Sequence, residues 1–184
     1  MLLVIAGPSG VGKGTIVARL REHFPDLWES VSYTTRQRRP TEVEGQDYCF
    51  VTREAFEALR DGGGFLEWFE VFGDLKGTPR GPVAEHLAAG DDVLLEIDVQ
   101  GALKVREQFP DAVLVFVRPP SLEDLRARLE GRGTETEASL TRRLAEAEGE
   151  MAQAPEFDFV VVNDDVERVV SEVAGILSGS LEKD

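Results

Sequence analysis

The chain opens with an unbroken apolar run at 2–6, which is long enough for one buried strand. A glycine-rich turn follows, and apolar residues then recur at helical spacing from Ile16 to Phe24. The same alternation of buried strands with amphipathic helices returns after residue 81. Strands that alternate with helices predict an α/β fold with a central parallel sheet flanked by helices.

Between residues 29 and 81 the pattern changes. Residues 48–52 and 65–72 alternate at strand period around a short helix at 53–60, which predicts a small mixed α/β insertion. After the insertion, strands are predicted at 93–97, 112–117 and 157–162, and helices at 82–89, 102–109, 138–152 and 166–177. A further helix begins after Ser121, which forms a capping box with Asp124, and ends near residue 129.

A chain of 184 residues fits one domain with a substantial core. We expect a core at about 1–31, 82–129 and 153–180, an insertion at about 32–81, and a lid at about 130–152. The lid is predicted from the polar, glycine-flanked segment 131–137 and the charged helix after it.

The composition of the chain argues against several kinds of partner and metal site. The net charge of −15 argues against nucleic acid or an anionic membrane surface as a partner. Cys49 is the single cysteine, which excludes an internal disulfide and a cysteine-built zinc site. With neither a signal peptide nor a membrane span in evidence, the expected location is the cytoplasm. The sequence leaves monomer and homodimer equally open.

The turn after the first strand carries the most specific motif in the chain. It reads Gly7-Pro8-Ser9-Gly10-Val11-Gly12-Lys13-Gly14-Thr15, with the G-x-x-x-x-G-K spacing of a P-loop. Such a loop points backbone N–H groups at phosphates, and its lysine reaches the outer phosphates. We therefore expect these nine residues to bind ATP and Lys13 to be catalytic.

One position departs from the strict P-loop pattern. Gly14 stands where a serine or threonine hydroxyl normally ligates Mg²⁺, and the hydroxyl comes one residue later, at Thr15. Asp98 ends a predicted strand and is a candidate acid for a Mg²⁺-bound water or for the acceptor nucleoside. We expect Mg²⁺ to be held chiefly by phosphates and water, with Thr15 and Asp98 in support.

Arginines cluster in two places in this acidic chain, which makes them candidates for binding small polyanions. The two groups are Arg36, Arg38 and Arg39, and Arg126, Arg128, Arg132, Arg142 and Arg143. For Arg126 and Arg128, a solvated helix face is the favoured interpretation.

The first arginine group belongs to a longer motif. Residues 32–40 read SYTTRQRRP, with Glu42 following, and residues 44–50 read EGQDYCF. Further segments are FLEW at 65–68, GT at 77–78, EIDVQG at 96–101, RLEGRGTET at 128–136 and VNDD at 162–165. Together these motifs resemble the guanylate kinase family over essentially the whole chain.

The resemblance implies a P-loop nucleoside monophosphate kinase of purine nucleotide metabolism. It would catalyse ATP + GMP ⇌ ADP + GDP with Mg²⁺, and would accept dGMP as well. By resemblance, Ser32 and Thr78 contact the guanine base, while Arg132 and Arg143 meet the phosphates when the lid closes.

The acceptor site also follows from side-chain chemistry. Arg36, Arg39 and Tyr48 supply two guanidinium forks and a hydroxyl for a phosphate dianion. The two donors on one edge of guanine match the two oxygens of the Glu67 carboxylate, whereas adenine presents an acceptor there. Without the family match, Glu67 would be interpreted as an outward-facing strand carboxylate.

The chain departs from the family inside this site. Leu75 and Lys76 stand where the family has two tyrosines, the second of which touches the acceptor phosphate. Lys76 is expected to replace that neutral donor with a cation, the alternative being a side chain in solvent.

Two other functions stay open at this stage. The first is a non-catalytic guanylate-kinase-like interaction module, against which the intact loop and Lys13 argue. The second is a monophosphate kinase for another base, suggested by Gly14-Thr15 and opposed by Glu67 and the phosphate clamp. Acceptor profiling distinguishes them.

Overall fold

The structure is a computed structural model that describes residues 1–71, 73–131 and 137–181. Along these residues the strands are β1 (Leu2–Ala6), β2 (Trp28–Glu29), β3 (Tyr33–Thr34), β4 (Cys49–Phe50), β5 (Phe65–Val71), β6 (Asp74–Pro79), β7 (Val93–Glu96), β8 (Val113–Arg118) and β9 (Phe159–Val162). The helices are α1 (Lys13–His23), α2 (Arg53–Asp61), α3 (Arg80–Ala89), α4 (Val99–Gln108), α5 (Leu122–Glu130), α6 (Glu137–Met151) and α7 (Val166–Leu177), with a 3₁₀ turn at Ala154–Glu156.

A five-stranded parallel sheet forms the centre of the fold, in the order β2-β7-β1-β8-β9. Alternate residues of β1 enter two different cores, because successive side chains of a strand point to opposite faces. Leu2 and Val4 pack with Val83 and Val105 below α3 and α4. Leu3 and its neighbours face α1 and α7 on the other side. Both faces of the sheet are therefore covered, as a parallel sheet requires.

A second, mixed sheet is formed by residues 33–79, in the order β4-β3-β6-β5. Its small core contains Phe56, Phe65 and Leu75, and the rings of Phe56 and Phe65 stack with centroids 4.3 Å apart. The pairing of β5 with β6 shifts register between Phe65 and Glu67. This bulge leaves Phe65, Leu66 and Glu67 all buried, although an unbroken strand would alternate.

Helix α4 joins the two sheets. The Gln108 side-chain amide donates to the Leu66 carbonyl at 2.6 Å and accepts from Arg80 at 2.7 Å. The Lys104 ammonium lies 4.0 Å from the centroid of the Phe69 ring. The strand that carries Glu67 is therefore fixed against the core from one side.

The predicted α/β class and central parallel sheet are confirmed. Helix α7 has the predicted bounds, and Ser121 caps α5 by accepting from the Asp124 backbone N–H at 3.0 Å. Strand β6 was not predicted, and α4 begins three residues earlier than predicted because Asp98 caps it. No helix among the described residues is both long and apolar enough to cross a membrane.

Candidate active site

The glycine-rich loop joins β1 to α1 at the carboxyl edge of the parallel sheet. Gly7 and Gly12 have φ values of +144° and +102°, a region that side-chain-bearing residues rarely adopt. A Cβ on Gly7 would also lie 2.1 Å from the Val117 carbonyl oxygen, so the loop passes β8 more closely than any larger residue permits. The loop has the curvature that directs N–H groups toward an anion.

Lys13 is the first residue of α1, and its side chain folds back over this loop. The Lys13 Nζ atom donates to the Gly7 carbonyl at 2.6 Å and to the Pro8 carbonyl at 3.2 Å. Burial lowers the pKa of Lys13, an effect that the nearby Glu96 carboxylate opposes. The ammonium therefore lies over the loop where phosphates are expected.

Two residues from distant parts of the chain hold the outer side of the loop. Arg128 donates to the Val11 carbonyl at 3.0 Å and to the Asn163 carbonyl at 2.7 Å. The Asn163 side-chain amide donates to the same Val11 carbonyl at 2.7 Å. The predicted solvated helix face is thus wrong for Arg128, whereas Arg126 is exposed and paired with Glu130.

From the predicted lid, one of the two expected arginines can be placed. Arg143 lies on α6 and donates to the Ser9 hydroxyl of the loop at 3.1 Å. The side chain reaches the loop in this structure, whereas the sequence predicts such a contact only when the lid closes. Arg132 lies outside the described residues, and its role stays a prediction.

The donors near Gly14 bear on how Mg²⁺ is held. The nearest is Glu96, at the end of β7, with Oε2 3.5 Å from where a Cβ on Gly14 would lie. Asp98 instead uses its Oδ1 to cap α4, accepting from the Gly101 N–H at 2.7 Å. The described residues contain no group of three or more histidine, cysteine, aspartate or glutamate side chains that could hold a metal.

Glu96 was missed in the sequence analysis, although its position is informative. It is the last residue of β7, which pairs directly with β1, the strand that enters the loop. In parallel sheets, functional side chains gather at the carboxyl ends of the strands.

The predicted phosphate clamp lies at the edge of the second sheet, where Arg36 forms an ion pair with the carboxylate of Glu42. The Arg36 guanidinium donates to the two Glu42 carboxylate oxygens at 2.7 and 3.1 Å. That hydrogen-bonded pair lowers the pKa of Glu42. The Arg39 backbone N–H also donates to Glu42, at 2.8 Å, while its side chain is exposed.

Tyr48 connects the clamp to Lys76. The Arg36 Cζ atom and the Lys76 Nζ atom lie 5.5 and 5.2 Å from the centroid of the Tyr48 ring. Burial acts to lower the pKa of Lys76, but Tyr48 and the nearby carboxylates outweigh it, so the pKa lies above its ordinary value. Lys76 is therefore a half-buried cation beside Arg36 and Tyr48 rather than a side chain in solvent.

The candidate base site is a buried carboxylate. Glu67 is 5% exposed, and its Oε1 accepts from the Thr78 hydroxyl at 2.5 Å. Burial raises the pKa of Glu67 to about 7. A Cβ on Gly101 would lie 3.1 Å from Glu67 Oε2 and 3.2 Å from Asp98 Oδ1, so both carboxylates converge at the start of α4.

Ser32, the remaining predicted contact to the base, is also buried. It precedes β3, and its carbonyl accepts from the Cys49 N–H at 2.9 Å. The structure therefore gathers the predicted acceptor residues in and beside one small sheet, which follows directly in the chain from the end of β2.

This combination of a phosphate loop and a carboxylate-based acceptor site agrees with the comparisons. A sequence model for guanylate kinase matches residues 1–180. The chain belongs to the guanylate kinase family. The guanylate kinase of Synechococcus sp. strain CC9902 is 54% identical over 172 residues, which cover 94% of this chain and 92% of that protein. That of Rubrobacter xylanophilus is 53% identical over 176 residues, covering 96% and 92%.

A solved guanylate kinase structure shares the fold. The crystal structure of guanylate kinase from Anaplasma phagocytophilum has a TM-score of 0.81 at 35% sequence identity, covering 98% of this chain and 85% of that one. The family resemblance inferred from the motifs is thereby confirmed.

Proposed function

We propose that this chain transfers the γ-phosphoryl group of ATP to GMP, and to dGMP, giving ADP and the diphosphate. The observation that carries the base assignment is the buried Glu67 carboxylate, which has one oxygen bound to Thr78 and the other at the start of α4. Guanine offers two donors to such a carboxylate, whereas adenine offers an acceptor that an ionised carboxylate opposes. An interaction module without catalysis is not favoured, because the loop and Lys13 are intact.

The reaction requires positioning and charge neutralisation rather than a proton-transfer base. The loop N–H groups hold the donor phosphates, and Lys13 follows the transferred group from donor to acceptor. Arg36, Arg39, Tyr48 and Lys76 hold the GMP phosphate, with Arg36 exchanging Glu42 for it. Arg143 and Arg132 stabilise the charge that develops during transfer.

The residues fit a Mg²⁺ ion that is carried by the phosphates and keeps much of its water shell. Mg²⁺ prefers oxygen ligands and commonly binds proteins through one or two carboxylates. Glu96 beside Gly14 and Asp98 at the head of α4 would offer carboxylates to such an ion, and Thr15 would offer a hydroxyl. When bound there, the ion would supply charge neutralisation for the phosphates.

Acceptor profiling tests the proposal. Initial rates with GMP, dGMP, AMP and UMP at fixed ATP should favour the guanine nucleotides over AMP by about 10⁴ in kcat/KM. A preference for AMP or UMP would contradict the base assignment, and absence of transfer to all four would contradict the enzyme. A cytoplasmic location stays a prediction.

A further inference from the structure

The outer side of the phosphate loop is held at one carbonyl. Val11 O accepts from Arg128 Nη1 at 3.0 Å and from Asn163 Nδ2 at 2.7 Å. Asn163 is 3% exposed and Arg128 is half-buried, so both hydrogen bonds are shielded from water. Neither residue belongs to the P-loop motif, and they come from α5 and from the end of β9.

The direction of this carbonyl determines the direction of a phosphate-binding group. In a trans peptide, the C=O of one residue and the N–H of the next point in opposite directions. Holding the Val11 carbonyl outward therefore holds the Gly12 N–H inward, toward the phosphates. A Cβ on Gly12 would lie 2.6 Å from Asn163 Nδ2, so the close approach of the amide requires glycine at this position.

We infer that Arg128 and Asn163 are positioning residues for phosphate binding, which act by fixing the Val11–Gly12 peptide. Arg128 is suited to this role because its planar fork spans two carbonyls, those of Val11 and Asn163. A hydrogen bond to a carbonyl also polarises its peptide and strengthens the N–H as a donor.

A second contact brings α5 against the same loop. A Cβ on Gly10 would lie 2.7 Å from Leu129 Cδ2, so Leu129 and Arg128 pack on successive parts of the loop. Helix α5 ends at Glu130, close before the predicted lid segment. The base of the lid and the phosphate loop therefore share one set of contacts.

The test compares Arg128→Met and Arg128→Lys with Arg126→Met, an exposed arginine on the same helix. The role presupposes that the loop binds the ATP phosphates, so the probes are ATP and inorganic tripolyphosphate, which has no base. Arg128→Met should weaken both ligands by the same factor, about tenfold, as expected for one charge-assisted hydrogen bond. The affinity of Arg128→Lys for both ligands should lie between those of Arg128→Met and the wild-type chain. Arg126→Met should bind both ligands as tightly as the wild-type chain does.

Two further measurements separate positioning from general destabilisation. The Gly12 amide should exchange hydrogen faster in Arg128→Met, and the KM for GMP at saturating ATP should not change. Asn163→Asp, which removes the amide donor at nearly constant shape, should also weaken tripolyphosphate. If Arg128→Met does not fold, Arg128→Lys takes its place, because lysine retains the charge and the aliphatic stem. The affinities of Arg128→Lys for ATP and for tripolyphosphate are then compared with those of the wild-type chain.

Four results would overturn the inference. Loss of ATP binding with unchanged tripolyphosphate binding would mean that Arg128 contacts the nucleoside. An equal loss in Arg126→Met would mean a general charge effect. Unchanged binding of both ligands would remove Arg128 from phosphate binding altogether. Failure of the wild-type chain to bind tripolyphosphate would contradict the phosphate site itself, and this role with it.

Discussion

The proposed donor site of this kinase is formed by backbone groups, whereas the proposed acceptor site is formed by side chains. The donor site is a backbone loop shaped by Gly7 and Gly12, and its outward carbonyl is fixed by Arg128 and Asn163. The proposed acceptor site consists of charged side chains in and beside a small second sheet. Some of these side chains pair with one another, as Arg36 does with Glu42.

The difference indicates how each site responds to its ligand. If ATP binds at the loop as proposed, the backbone already holds the N–H groups in place, and little rearrangement is expected there. If GMP binds at the proposed acceptor site, its phosphate would replace the internal partner of Arg36, and its affinity would depend on the exchange of one charge pair for another. Changes in the donor site should therefore act mainly on transfer, and changes in the acceptor site on GMP affinity and base choice.

The largest effect is expected from Lys13→Met, which keeps the length of the side chain and removes its charge. The value of kcat should fall by several orders of magnitude, because the lysine accompanies the transferred group. A cooperative thermal melt should remain, since the side-chain hydrogen bonds of Lys13 go to the Gly7 and Pro8 carbonyls of its own loop. Near-normal activity would exclude the loop from the mechanism.

The next largest effect is expected from Arg143→Ala. We expect a loss of about 10²- to 10³-fold in kcat with a smaller rise in the KM for ATP, because the arginine acts most strongly on charge that develops in transfer. The same result is expected for Arg132. Steady-state kinetics measure kcat and the KM for ATP in each variant, and Arg126→Ala is the control. A change in KM alone would show uniform ground-state binding and contradict this role.

In the acceptor site, Glu67→Gln should reduce the preference for GMP over AMP by about 100-fold, because an amide pairs with only half of guanine's donor edge. The loss should appear mostly in KM. Retention of the wild-type preference would make the carboxylate structural and place the base elsewhere.

The pH dependence sharpens this test. Because burial raises the pKa of Glu67 to about 7, the carboxylate gains a proton as pH falls below that value. The KM for GMP should then rise in the wild-type chain, with a smaller rise in Glu67→Gln, which has no carboxylate to protonate at this position. Since the folded chain binds this proton more tightly than the unfolded chain does, the free energy of unfolding should decrease between about pH 4.5 and 7.

The smallest effects are expected at Lys76, where the acceptor site departs from its family. Lys76→Tyr should stay within about tenfold of wild-type activity, because a hydroxyl donor takes the place of an ammonium. Lys76→Glu should weaken GMP more strongly at low than at high salt, since it faces the dianion with a like charge. Lys76→Met is the milder control for folding. An unchanged KM in the Glu variant at low salt would place Lys76 outside the site.

Local pattern predicted those elements that bury an apolar stripe. Helix α7 and strand β1 show this, because their burial follows their own periodicity. Strand β6 was not predicted from the sequence. Its buried residues include Leu75, Gly77 and Pro79, which do not form a series of large apolar side chains at every second position. It forms a strand by pairing with β3 and β5, which a local pattern does not reveal.

The residues of the candidate site also differ in whether the sequence could predict them. Lys13 and Arg36 could be proposed from short motifs, because their chemistry is tied to spacing along the chain. Glu67 could be proposed only through the resemblance to the family. Arg128 and Glu96 could not, since their contacts with the loop join segments that lie far apart in sequence.

The bulge in β5 joins the strand of Glu67 to the main core. Its extra residue, Leu66, is buried in that core, and the Leu66 carbonyl accepts from the Gln108 amide at 2.6 Å. Deleting Leu66 would leave Glu67 opposite Thr78, because the pairing on the two sides of the bulge would become continuous, but it would remove the buried side chain that fixes the strand against the core. A deletion of three nucleotides that leaves the codon of Glu67 intact should therefore still disturb the position of its carboxylate.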